Sequence, residues 1–267
     1  MVGKSLVILP EQGFGDNIQF ARYTLLLGER GVSHLTLVCD PPLKALLETV
    51  AGVDEVITEL PSVPTYDYWS FPLSLPLHLG TTVDTIPAAQ SYLHALPIRV
   101  DQWCARLPVG KFKVGLVWKG NADHKNDVNR SLPGLFILAP LWSVPGVTFI
   151  SLQKGRGEED AKEPPADQTI IPLGSDISDF ADTAAIIAQL DMVICVDTSI
   201  IHLAGAMGKP CWVLLTAVGT DWRWLQERED SPWYASIRLF RQEYPGDWSQ
   251  PVERIRQELL ALTHTGS

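Results

Sequence analysis

Cysteine is scarce. The 267 residues hold four, Cys39, Cys104, Cys195 and Cys211, far apart and without a C-x-x-C pair, so the expectation is buried free thiols rather than a disulfide framework. No apolar run approaches the roughly 20 residues that cross a bilayer, and Met1–Leu9 lacks the shape of a signal peptide. The chain therefore reads as cytosolic. A P-loop is missing, because Gly208-Lys209 runs into Pro210 without the upstream glycine. There is no G-x-S-x-G elbow. Histidines and cysteines lack the spacing of a zinc site, and no D-x-D pair offers adjacent carboxylates to a metal. No metal or other cofactor is expected, and any bound phosphates must be neutralised by Lys, Arg and helix N-termini. Basic charge is also short: the net charge is −10 and the pI about 5.0, which excludes a dominant electrostatic role on nucleic acid or an anionic membrane. A local basic pocket for one phosphate group is compatible with that balance.

What the chain has in plenty is apolar material, 46% of its residues, enough for two compact units of about 100–150 residues each. Short β-branched runs alternate with helical stretches, the pattern of parallel strands joined by crossover helices, so an α/β fold is expected. In the first half, Ser5–Leu9 predicts a strand, a Gly-containing turn follows, and a helix is expected over about Asp16 to Arg30 with Ile18, Ala21 and Leu25 on one face. Leu35–Cys39 and Glu55–Thr58 predict further strands, with a helix near Leu43–Val50 between them. Pro61, Pro64, Pro72 and Pro76 then predict loop and short turns. The break Pro108-Val109-Gly110-Lys111 sets a domain boundary, giving units 1–108 and 109–267. The second half predicts strands at Lys113–Trp118, Val147–Leu152, Thr169–Ile171, Met192–Val196, Cys211–Leu215 and Ile237–Phe240. Ser178 or Asp179 can cap a helix reaching about Gln189, and Pro251 fits the first turn of a last helix.

Four segments stand where open α/β sheets bind ligands, at the carboxyl ends of strands. Gly13-Phe14-Gly15-Asp16 opens the first helix; its glycines allow close backbone approach, while Asp16 serves either as a cap or in chemistry. Trp118-Lys119-Gly120-Asn121, followed by His124 and Arg130, places an ammonium and a guanidinium near a sheet edge. Both suit a diphosphate, and pairing with Asp123 and Asp127 is the alternative. Ser151-Leu152-Gln153-Lys154-Gly155 is a ligand loop or an exposed turn. The fullest signal is the strand Met192–Val196 running into Asp197-Thr198-Ser199 and a helix with His202 and the small residues Ala204-Gly205-Ala206. Free backbone N–H groups, the positive end of the helix dipole and two hydroxyls make an anion cradle. A plain capped helix needs only one of those hydroxyls. Trp222 and Trp224, in the loop 219–224, stack on a sugar or base or else pack between units.

The stretches EQGFGDNIQFARY (11–23), KVGLVWKGNADHKNDVNRS (113–131), FISLQKG (149–155), DFADTAAIIAQLDMVICVDTSIIHLAGAMGKPCWVLL (179–215) and DWRWLQEREDSPWYASIRLFRQ (221–242) resemble, in order, bacterial glycosyltransferases often found behind tetratricopeptide repeats and related to ADP-heptose lipopolysaccharide heptosyltransferases, the family 9 type. The resemblance implies a GT-B fold, two Rossmann-like units facing a cleft, the first on the acceptor side and the second holding the donor, with the last helix crossing back to the first. It implies metal-independent, inverting transfer of a hexosyl, heptosyl or N-acetylhexosaminyl group from a nucleotide-diphosphate-sugar. Carried over by position, Asp16 is the candidate general base. Lys119, Arg130, Gln153, Lys154, Asp197, Thr198, Ser199 and His202 are candidates for the donor, and Gly13, Gly15, Gln19, Asn121, His124 and Trp222 for the cleft. No repeat array is present in the sequence, so the acceptor stays open among glycan, lipid and protein, and the chain can be part of a longer repeat-containing protein. The rival readings are a non-catalytic nucleotide-sugar-binding module and a GT-B-type sugar-nucleotide epimerase.

Overall fold

The two apolar runs that look most like buried strands in the sequence form the centre of the molecule. In the computed structural model, which describes residues 1–62, 65–87 and 91–265, Met192–Val196 (β8) and Cys211–Leu215 (β9) are buried at every position. Strands covered on both faces need no polar alternation, which is why these runs are continuous. Around them stand Phe112–Val117 (β5), Val147–Ser151 (β6), Ile170–Pro172 (β7) and Ile237–Arg241 (β10), in the order β10-β9-β8-β5-β6-β7. A smaller sheet, order β3-β2-β1-β4, is built from Lys4–Ile8 (β1), Val32–Val38 (β2), Glu55–Ile57 (β3) and Tyr68–Ser70 (β4). Every pairing of named strands is parallel. In the large sheet the chain leaves β5 first towards β6 and later towards β8, so the strand order reverses there. The crevice outside that reversal is where such sheets take ligands.

The helices are Phe14–Phe20 (α1), Thr24–Glu29 (α2), Lys44–Leu47 (α3), Leu75–Leu79 (α4), Pro97–Cys104 (α5), Asp127–Arg130 (α6), Glu159–Lys162 (α7), Phe180–Ala188 (α8), Ser199–Ala206 (α9) and Ser249–Thr265 (α10). The long helix expected over 16–30 is in fact α1, a 3₁₀ turn Ala21–Tyr23, and α2. The tighter turn rotates the following face. Ile18 and Ala21 stay buried, while Leu25, expected beside them, is 48% exposed. The proline-rich stretch is not all loop either: β4 lies within it beside β1, Pro72 opens a 3₁₀ turn and Pro76 enters the first turn of α4. Pro64 lies outside the described residues. Asp179, of the two proposed caps, takes the role, its Oδ1 accepting from the Asp182 amide at 2.9 Å.

One apolar cluster fills the space between the two sheets, running from Leu6, Ile18 and Leu35 through Ile186, Ile201 and Leu203 to Val193 and Val213. α1 lies against α9, and α5 against α8. α5 precedes the expected boundary in sequence, yet it is fastened to the second unit: Arg99 bridges Asp179 and Asp182, and the Trp103 indole donates to Asp182 Oδ1 at 3.1 Å. A second cluster covers the outer face of the large sheet, where Val252, Ile255 and Leu259 of α10 meet Leu135, Leu138 and Leu141. The last helix, expected to reach the first unit, thus packs on the second unit's own sheet. Among the described residues, no helix is long and apolar enough to cross a membrane.

Candidate functional site

β8 delivers its last residue, Val196, to the sheet edge, and Asp197 and Thr198 turn the chain into α9. Thr198 caps that helix, its Oγ1 accepting from the Ile200 amide at 3.3 Å. Ser199 opens it and remains partly exposed. Asp197 Oδ2 accepts from the Trp224 indole N–H at 3.0 Å. Burial pushes the Asp197 carboxyl up to about 6, against the Trp224 hydrogen bond and the charges of Arg130 and Arg223, with Asp221 adding to the rise. One turn along, His202 is buried, its Nδ1 3.0 Å from the Tyr234 hydroxyl and its ring stacked on Trp224. Burial, then the charges of Arg223 and Arg22, hold its pKa well below the ordinary histidine value. The imidazole is therefore neutral at pH 7 and can exchange one hydrogen bond with Tyr234 in either direction.

The first unit meets this turn through α1. A Cβ on Gly15 would lie 2.6 Å from His202 Cδ2 and 3.4 Å from Ser199 Cα, so glycine is what lets the helices approach. Asp16 follows directly. Its Oδ2 accepts from the Gly13 amide at 2.9 Å, completing a cap, while its Oδ1 accepts from Arg223 Nη2. Capping and a role in the site are thus both available to the same carboxylate. Trp222 is 58% exposed beside them, and the Arg223 guanidinium lies 5.0 Å from the centre of its ring. Deeper along the same helix, Gln19 is fully buried with neither side-chain polar atom hydrogen-bonded. Arg22 is enclosed by the rings of Tyr92, Trp233 and Tyr234, at 5.1, 5.4 and 4.7 Å.

From the third side comes the segment after β5. Arg130 covers Gly120, where a Cβ would meet its Nη2 at 2.8 Å, and its buried Nε has no hydrogen-bond partner. His124 accepts from the Asn126 amide through Nδ1 at 3.1 Å. Burial and Arg130 lower its pKa, opposed by Asp127, Asp221 and Asp16. Asn126 donates to the carbonyls of Val218 and Gly219, tying this segment to the loop that carries Trp222.

Asp16, His124, Arg130, Asp197, Thr198, Ser199, His202 and Trp222 thus converge, with Gly13, Gly15 and Gln19 on the same helix face or its entry. Other candidates have different employment. Gln153 is a staple: its Oε1 accepts from the amides of Trp118 and Lys119, and its Nε2 donates to the carbonyls of Lys119 and Arg156. Lys154 Nζ donates to the Ile177 carbonyl at 2.6 Å, and Lys119 Nζ to that of Pro133 at 2.8 Å. Asn121 caps its own turn, accepting from the Asp123 amide. Arg22, Tyr92, Asp221, Arg223 and Tyr234 join the cluster without having been singled out in the sequence. Arg223 had one signal, its place between two tryptophans in the 219–224 loop.

Residues 148–218 match the model of glycosyltransferase family 9 (heptosyltransferase). That segment contains β8, the Asp197–Ser199 turn, α9 and β9. The chain is 33% identical over 285 aligned positions to Protein FlbA of Caulobacter vibrioides, an alignment covering 96% of the chain and 46% of FlbA. It spans about half the length of that relative. Among solved structures, the fold is similar to Escherichia coli ADP-heptose LPS heptosyltransferase II, with a TM-score of 0.71 at 12% identity, covering 98% of this chain and 99% of that one. A glycosyl transferase family 9 protein of Veillonella parvula matches with a TM-score of 0.68 at 13% identity, covering 98% of each chain. The heptosyltransferase WaaC of E. coli, solved with ADP-2-deoxy-2-fluoro heptose, matches with a TM-score of 0.60 at 13% identity, over 98% of this chain and 100% of WaaC. These likenesses agree with the architecture of two parallel-sheet units, and the family 9 match lies within the second.

Proposed function

We propose that the chain transfers a sugar from a nucleotide-diphosphate-sugar to an acceptor hydroxyl, with inversion and without a metal, in the manner of a GT-B enzyme. The observation that carries the reading is the meeting of Asp16, from the first unit, with the Asp197–His202 turn of the second. A carboxylate able to take a proton stands opposite a helix start able to hold an anion. The α9 N-terminus, Thr198, Ser199 and Arg130 receive the diphosphate on this reading, and charge building on the leaving nucleotide is met by fixed donors. Lys119 joins them once its contact with the Pro133 carbonyl is exchanged for a phosphate oxygen. Gln153 and Lys154 shape the donor side by fixing the backbone around it, and the neutral His202 with Tyr234 holds α9 in place. Trp222 offers an exposed ring on which a sugar or base can stack. The heptosyltransferase likeness makes ADP-linked sugars the first donors to try, and base and sugar follow from the same screen.

Thermal-shift measurement with ADP, UDP, GDP and their sugars is expected to give one base that raises the melting temperature. Asp16→Asn should keep that nucleotide shift and lower sugar transfer by about 10²–10⁴-fold, the usual weight of a general base. A chain that binds nucleotide with no turnover to lose would be a binding module. Conversion of the donor sugar's stereochemistry with no acceptor present would identify an epimerase.

A further inference from the structure

We infer that Arg223 is a positioning residue that orients the Asp16 carboxylate from the opposite unit. The inference rests on the reading of Asp16 as the base and adds the group that aims it. Asp16 belongs to α1, Arg223 to the loop after β9, and no stretch of chain shorter than 200 residues joins them. The guanidinium is held on its far side by Asp221, whose Oδ1 accepts from the Arg223 amide and Oδ2 from Nη1, both at 2.9 Å. Its central carbon lies 5.0 Å from the ring centre of Trp222 and 5.7 Å from that of Phe20. A planar fork so enclosed has little freedom, and the arginine side chain is only 8% exposed. It presents Nη2 to Asp16 Oδ1, while the Gly13 amide takes Oδ2. Two donors from different units therefore fix both oxygens of one carboxylate, leaving each oxygen a lone pair for an incoming hydroxyl.

The cap alone is a single hydrogen bond in an exposed turn, which the side chain can leave for other rotamers about its Cα–Cβ bond. With Arg223 in place the base is aligned only when the two units are docked, which couples their docking to the chemistry. The charged and titratable groups around Asp16 are Arg223 and Asp221 from the loop after β9, His202 from α9, His124 and Arg130 from the segment after β5, and Arg22 further along the first unit's own helix run. Of these, Arg223 alone is hydrogen-bonded to the Asp16 side chain among the described residues.

The test is the Asp16 side-chain rotamer in the full chain, read by NMR from three-bond couplings to its carboxyl carbon, with Asp16→Asn identifying the signals. One rotamer is expected in the wild type, averaging among rotamers in Arg223→Gln and in Asp221→Asn, and partial recovery in Arg223→Lys. A single rotamer persisting in Arg223→Gln would show that the cap suffices and would overturn the proposal, as would averaging in the wild type. Should Arg223→Gln not fold, Asp221→Asn and Arg223→Lys decide the matter, since Asp221 is hydrogen-bonded to the arginine and not to Asp16. Where transfer is followed, kcat should fall about 10²-fold in Arg223→Gln, the effect of a small misplacement, with the donor KM unchanged; a raised KM with kcat retained would make Arg223 a donor ligand instead. Titration with ADP, UDP and GDP separates the two readings: failure of all three to bind removes the transfer assignment and leaves the rotamer result standing.

Discussion

Asp197 is enclosed by Trp224 and the start of α9, and burial pushes its carboxyl from the ordinary 3.8 up to about 6. The folded protein therefore holds this proton more tightly than the unfolded chain does. Below about pH 4 both states are protonated and nothing is lost. As the pH rises to about 6 the folded state must ionise a partly buried group, and stability falls by that difference. Asp197→Asn removes the titration and keeps an oxygen for the Trp224 N–H. Its melting temperature relative to wild type should rise from about pH 4 to about pH 6 and level off above that; a difference that stays flat between about pH 4 and 6 would contradict the assignment. Gln153 makes a separate prediction. Replaced by leucine, it strands the amides of Trp118 and Lys119 and the carbonyls of Lys119 and Arg156, at a cost on the order of 3 kcal/mol in urea denaturation. Folded Gln153→Leu should bind nucleotide more weakly, because the side chain's four bonds hold the backbone that carries Lys119 on the donor side.

At the scale of elements, the contact between α1 and α9 brings the two halves of the site together, and Gly15 sets its closeness. Gly15→Ala would drive a methyl into the His202 ring and against the Ser199 backbone. Overpacking of this kind destabilises by about 1–3 kcal/mol, and here it also moves Asp16 away from Arg223, so activity should fall by more than stability alone explains. A Gly15→Ala chain with the proposed transfer activity undiminished would mean that the helices can separate without harm. Which elements are legible in the sequence follows from their burial. β8 and β9 are unbroken apolar runs because both faces are covered, and their bounds are read directly. β4 escapes because three residues flanked by prolines carry no period. The break between α1 and α2 has no proline or glycine to announce it, since tertiary packing rather than propensity sets it. For the site, Asp16 and the Asp197–His202 turn are legible by their place after strands. Arg223 and Arg22 are not: a buried arginine looks in sequence like any surface one, and only the fold shows that its counter-ion or its aromatic cage comes from another part of the chain.

The two sheets differ in size, and a boundary near residue 108 suggests two independent units, yet the apolar cluster between them is continuous. Ile18 and Leu27 from the first unit share it with Ile186, Ile201 and Leu203 from α8 and α9. α5, before the boundary, is locked to α8 by Arg99 and Trp103. Separating the units would expose that shared layer and strip Asp16 from Arg223, a partly buried ion pair whose partners are left uncompensated when parted. Unfolding either sheet alone therefore carries the penalty of the common interface, and the molecule should open as one cooperative body. Hydrogen exchange followed by mass spectrometry in rising urea is expected to bring peptides from β1 and β8 to the same opening free energy. Two separate isotherms, with β1 opening well before β8, would show that the four-stranded sheet is an independent unit docked on a self-sufficient partner. Arg99→Ala is the complementary case: it weakens the fastening of α5 to α8 without touching the cluster, so it should lower the shared opening energy of both peptides together rather than split them.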